Sequence, residues 1–188
     1  MIKNNYKDDY SRFLRLNRKG KVVPDISYLG DYYVLPFDEK QKKRTGICNL
    51  FGAVLLLAVQ ITAGLMNQDS SRTFWIVYPY LFPFLPLMYM IAGAAKYFEV
   101  PLRMQKAHYE TSLLRIRRSC IGTIVLVGMS AVLDLVYMLL HHDEIRMGRE
   151  LCYLGCHVVY LLIAVMYGRY YDRTYGGIRI EKSQNPAE

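Results

Sequence analysis

Charge is missing from four long stretches of this 188-residue chain, and that absence decides its class. The stretches Gly46 to Met66, Phe74 to Ala95, Cys120 to Leu140 and Leu151 to Tyr167 hold a single formally charged side chain, Asp134. A soluble helix of such length keeps a polar face toward water, so charges at helical spacing would interrupt each run. Crossing the hydrocarbon core as a helix takes about 20 apolar residues, which is roughly what each run supplies. The chain therefore reads as an all-α membrane protein, a bundle of four transmembrane helices.

Other absences narrow the function. There is no Walker loop, no H-E-x-x-H pair and no Rossmann glycine fingerprint, so the reading leans away from an enzyme and implies no cofactor. Cys48, Cys120, Cys152 and Cys156 include a C-x-x-x-C spacing but no C-x-x-C, and they read as small buried hydrophobes rather than redox thiols or a disulfide framework. The first twenty residues lack the apolar core of a signal peptide, which leaves insertion to the first span. No helix-turn-helix, zinc-finger or ribonucleoprotein pattern accompanies the net charge of +8, so nucleic acid is not an expected partner.

Basic residues are plentiful, but only in alternate segments. Of the 24 Lys and Arg residues, 21 lie before Thr45, between Lys96 and Arg118, or after Tyr167; the other two connections hold 3. This is the positive-inside pattern, and it predicts a multi-pass protein with both termini in the cytoplasm. Residues 1–44 then form a cytoplasmic tail, 45–171 the membrane domain and 172–188 a polar, disordered C-terminal tail. In the first of these, Ile26-Ser27-Tyr28 and Tyr32-Tyr33-Val34 flank Leu29-Gly30-Asp31 and suggest a β-hairpin. An isolated hairpin is marginal in water, so it needs the membrane surface, another loop or a partner. Pro101 predicts the start of a cytoplasmic helix over 101–118, whose basic side chains attract anionic lipid headgroups. The segments KKRTGIC and RIRRSCIG resemble each other, through either a duplicated hairpin or the same charge rule acting twice.

Two features inside the spans carry candidate chemistry. Pro79, Pro83 and Pro86 share one face of the second span, and each removes a backbone donor, predicting unpaired carbonyls at Trp75, Pro79 and Phe82. Such a kink either lines a cavity or simply bends the helix. The second feature is Asp134, because an intramembrane carboxylate is costly and usually faces protein or water. Asp134 and His157 are equidistant from the centre of the 141–150 loop, which predicts similar depth and a direct or water-bridged contact. Gln60 reaches a comparable level. The three form either a binding or proton-relay site or a structural contact worth about 0.6–2 kcal/mol. Ser130 is placed about 6 Å from His157 along the helix axis, which argues against a serine nucleophile. The outer-loop residues His141, His142, Asp143, Glu144 and Glu150 read as a wet polar loop rather than a metal site.

The sequence thus predicts a non-catalytic accessory or structural subunit of a larger membrane assembly, with a protein partner or homo-oligomer. The alternative is a small-solute or proton-coupled transporter using Asp134, His157, Gln60 and the proline kink.

Overall fold

The computed structural model describes residues 9–16, 22–143 and 145–182. Residues 1–8, 17–21, Glu144 and the end of the polar tail, 183–188, lie outside the described residues.

Helix α1 spans Glu39–Gly64 and opens on Asp38, whose carboxylate accepts the Gln41 amide at 2.8 Å. This N-cap satisfies one of the amide groups that a helix start leaves unpaired, and Glu39 adds negative charge beside the positive helix end. Asn67, just beyond α1, takes the left-handed conformation (φ 46°), which asparagine tolerates better than most side chains. The second span is two helices, α2 (Phe74–Leu81) and α3 (Phe84–Glu99), with the break at Phe82–Pro83. The third begins as α4 (Lys106–Tyr109), passes a π turn at Glu110–Leu114 and continues as α5 (Arg115–Leu140). The fourth is α6, Met147–Tyr175. All four spans are long and apolar enough to cross a membrane, so this is a multi-pass helical membrane protein.

The helices close a ring in which α1 packs on α3 and α6, and α5 packs on the same two. Their surface is apolar: Phe51, Leu85, Val125 and Leu162 are each 60% or more exposed. The interior holds Leu56, Leu87, Met90 and Val127 together with Asn49, Thr123, Ser130, Asp134, Glu150 and His157. Apolar groups outside and polar groups within is the arrangement hydrocarbon demands, since polar side chains there must find partners inside the protein.

The basic end of the bundle carries two small sheets. Strands β1 (Tyr10–Leu16) and β2 (Val22–Tyr28) form an antiparallel hairpin. Strand β3 (Tyr32–Val34) lies between β4 (Arg103–Gln105) and β5 (Arg179–Glu181), with Tyr33 opposite both Met104 and Ile180. The expected strands therefore exist, but they do not pair with each other. β2 turns back on β1, while β3 fills both of its hydrogen-bonding edges with the loop after the second span and the segment after the fourth. The Tyr28 hydroxyl accepts the Lys106 amide at 3.1 Å and donates to the Asp31 carbonyl at 3.1 Å, tying the strand connection down. The Tyr33 and Tyr109 rings stack at 4.3 Å.

Two further expectations are corrected here. Pro101 does not begin a helix; β4 intervenes, and helix resumes only at Lys106. The segment after Tyr171 is ordered through α6 to Tyr175 and then as β5, because β3 supplies a pairing edge and Arg103 holds Glu181 at 2.9 Å. One sheet built from residues before the first span, between the second and third, and after the fourth requires all three segments to share one end of the bundle.

Candidate functional site

The opposite end, here the loop end, is closed by the two short connections locked together. A single 3-10 turn, Asp69–Arg72, sits over the bundle. Asp69 accepts the Arg146 backbone amide at 2.9 Å and meets its guanidinium at 2.8 and 3.3 Å. These bonds hold the Asp69 carboxyl well below the usual carboxylate range, at about 2. The same amide lies at the start of α6, so Asp69 also caps that helix from a different loop.

Within the turn, Ser70 is fully buried and its backbone amide donates to Glu150 at 2.8 Å. Asp134 is also fully buried, and the groups acting on it are the Glu150 carboxylate and the Ser70 hydroxyl. Neither Asp134 oxygen reaches hydrogen-bond geometry with any described residue, and the second Glu150 oxygen and the Ser70 hydroxyl are likewise unpartnered. The Glu150 carboxylate is thus the charged group that acts on Asp134, with no basic side chain among the groups acting on it.

His157 is nearby but occupied. Its Nδ1 lies 3.1 Å from the Tyr153 carbonyl and its Nε2 3.1 Å from the Ser130 hydroxyl. A carbonyl only accepts, so Nδ1 carries the proton in this bond, and in the neutral ring Nε2 accepts from Ser130. Asp134 and His157 are therefore not hydrogen-bonded to each other. The reason is register. α6 begins at Met147, four residues before its apolar run, which moves the centre of the turn about two residues earlier. Ser130, rather than Asp134, then falls level with His157, and Asp134 falls level with Tyr153, on which its charge acts.

The Ser130–His157 pair has the polarity of a nucleophile and its base, contrary to the axial offset expected. Yet Ser130 sits in the middle of α5, where backbone amides belong to the helix ladder and none is free to hold an oxyanion. Its geometry does not provide for acyl transfer.

Gln60 goes elsewhere. Its amide donates to the Tyr80 carbonyl at 2.9 Å, and the Tyr80 hydroxyl returns a bond to the Gln60 carbonyl at 3.0 Å. The exposed backbone at the proline break is thus served by Gln60. Among the carbonyls expected to be unpaired, that of Phe82 accepts the Leu85 amide at 3.2 Å. Pro79 and Pro83 are buried and Pro86 is half-buried, so the face they share points into the bundle. Gln60 approaches the acidic pair through Tyr80, whose ring is 6.4 Å from that of Tyr153.

Among the outer-loop residues, His142 pairs with Asp143 at 3.1 Å and His141 stacks on Tyr137. Among the described ones, Glu150 alone is buried. Sequence reasoning assigned it to the loop, set Ser130 aside on its expected offset from His157, and did not single out Ser70 or Tyr153. The missed signal is the inward stripe of α6: Glu150, Tyr153, His157, Tyr160, Tyr167, Tyr171 and Tyr175 follow helical spacing and all are buried. At the sheet end this stripe is fully bonded. Asn49 donates to Tyr175 at 2.7 Å and accepts from Tyr167 at 3.1 Å, and Tyr171 donates to the Leu113 carbonyl at 2.8 Å.

Comparison with known proteins returns no matching family model, no similar curated protein and no similar solved structure, so function rests on the site's own chemistry.

Proposed function

We propose that this is a small proton-coupled transporter of the membrane, with Asp134 and Glu150 as its proton-binding pair. The observation that carries the reading is the fully buried Asp134 carboxylate, which reaches full hydrogen-bond geometry with no described residue and is acted on by a second carboxylate, Glu150, and by the Ser70 hydroxyl. Intramembrane carboxylates mark proton relays and ion pathways because their cost is tolerated only for a use. The contrast with Asn49 sharpens the point: a polar group kept for packing has its bonds filled, as Asn49 does. Two carboxyl groups lining one buried site give a proton two acceptor groups to move between. Ser130 and His157 extend the polar chain toward the bundle centre. The sheet end is assigned to the cytoplasm, supported by the 21 basic residues of its segments. Both termini are then cytoplasmic and the acidic pair lies toward the outer face.

The test is charge movement in proteoliposomes on a solid-supported membrane. A pH step is expected to give a transient current for the wild type, and none above empty liposomes for the Asp134→Asn, Glu150→Gln double variant. Wild-type traces indistinguishable from empty liposomes would remove the proposal.

A second reading, a non-catalytic subunit of a larger membrane assembly, draws support from β5. Its three residues are all exposed and it is an edge strand, open to pairing with a strand of another chain. Purification in mild detergent tests it: a stoichiometric companion chain supports this reading, and a single species counts against it.

A further inference from the structure

At the sheet end, α5 and α6 part to leave a groove of about 230 Å³ that opens sideways. Ile121, Ile124, Val165 and Gly168 line it around the buried Cys120 and Tyr171, and the exposed Arg117, Arg169 and Asp172 stand at its rim. The groove continues into a second hollow that shares Arg117 and Asp172 but is mostly polar, running beneath the sheet past Tyr109 and Ile178. An apolar slot on the membrane side thus joins a polar one beyond it, with the Arg117–Asp172 pair (3.2 Å) at the junction.

Soluble ligands have little reason to enter from this side. Ile121 and Val165 are exposed on the same bundle surface as Val125 and Leu162, where hydrocarbon is the solvent. The mouth carries two cations against one carboxylate. Arg117 is engaged by Asp172, whereas Arg169 is exposed and has no ion-pair partner among the described residues. A free guanidinium at the head of an apolar groove, on the interfacial level of a membrane helix, is complementary to a phosphate carrying an acyl chain. Gly168 widens the groove: a Cβ there would meet only Cys120 Sγ, at an ordinary contact distance of 3.9 Å.

We infer that this groove is a binding site for an anionic phospholipid, with one acyl chain along Ile121, Ile124 and Gly168 and the phosphate at Arg169 and Arg117. The site is independent of Asp134 and of any transport activity, so its failure leaves the acidic pair untouched.

Native mass spectrometry of the full chain, stripped of lipid and titrated with phosphatidylglycerol or phosphatidylcholine, tests it. The wild type is expected to bind one phosphatidylglycerol per chain in preference to phosphatidylcholine. Arg169→Gln, which breaks no pair within the protein, should weaken phosphatidylglycerol binding about fivefold while leaving phosphatidylcholine unchanged. Arg117→Gln should do the same, and Gly168→Leu should weaken both lipids. Thermal unfolding of each variant shows whether it remains folded; Arg169→Gln, at an exposed position, is the one on which the proposal stands. Equal affinity for the two lipids, or an unchanged titration in Arg169→Gln, overturns it. So does a dimer that forms through the groove, excludes lipid and is lost in Gly168→Leu.

Discussion

Asp134 and Asn49 show what burial does to two polar side chains of similar shape. Asn49 has a donor and an acceptor and uses both, on Tyr175 and Tyr167, so its desolvation is offset. Asp134 has acceptors only when ionised, and a second carboxylate beside it. Asp134→Asn is therefore expected to leave thermal stability unchanged or raised, because the new side chain brings a donor as well as an acceptor into the buried site. Glu150→Leu should instead cost about 1–3 kcal/mol, since it strips the acceptor from the buried Ser70 amide. Unfolding followed in detergent separates the two, and a large loss in Asp134→Asn would show that the carboxylate is a structural contact. Asp69 gives a residue-scale expectation of opposite character. Its carboxyl lies at about 2 in the fold against 3.8 ordinarily, through the Arg146 bonds. A depressed pKa contributes stability that is whole above the unfolded value and lost as pH falls through the folded one. The advantage of wild type over Asp69→Asn in unfolding midpoint should hold at pH 5 and fade between about pH 4 and pH 2. A constant difference across that window would mean the loop clamp is not maintained by charge.

The proline break shows how an element is held open. Gln60 reaches across from α1 to the Tyr80 carbonyl, while the Tyr80 hydroxyl, lying against Gly64, bonds back to Gln60. Gln60→Leu should therefore destabilise the bundle by about 1–3 kcal/mol by leaving that carbonyl unpaired in hydrocarbon. Loss should be much smaller for Tyr80→Phe, which removes the hydroxyl but keeps the Gln60 bond; equal losses would mean that the hydroxyl, not the break, is what Gln60 serves. That the second span is interrupted was legible in the three prolines. Which carbonyl needs help was not, because the spacing argument assumed one unbroken helix. The chain instead breaks at Phe82–Pro83, and the Phe82 carbonyl is satisfied three residues on by Leu85. The acidic pair was half legible for a related reason. Asp134 is conspicuous in an apolar run, but Glu150 lies outside any such run and is drawn into the bundle only because α6 starts early, at Met147. Helix ends in a membrane protein follow loop contacts, here Asp69 on Arg146, as much as hydropathy.

At the scale of the whole molecule, the four spans were readable from the missing charge, and the strands only in part, because pairing depends on segments far apart in sequence. β3 brings together the chain before the first span, between the second and third, and after the fourth, so its neighbours must lie on one side of the membrane. Charge bias and strand pairing are independent constraints, and they make separable claims about cysteine accessibility. In a background with Cys48, Cys120, Cys152 and Cys156 replaced, an impermeant maleimide applied to intact cells should label Arg72→Cys and Asp143→Cys, both exposed at the loop end. Ser70 is unsuited to this test because it is buried within the turn. Lys40→Cys and Glu181→Cys, exposed at the sheet end, should react only after permeabilisation. Complete reversal would invert the orientation assigned from the basic residues while leaving the sheet intact. Opposite behaviour of Lys40→Cys and Glu181→Cys would contradict the sheet itself, because β3 and β5 cannot pair across a bilayer.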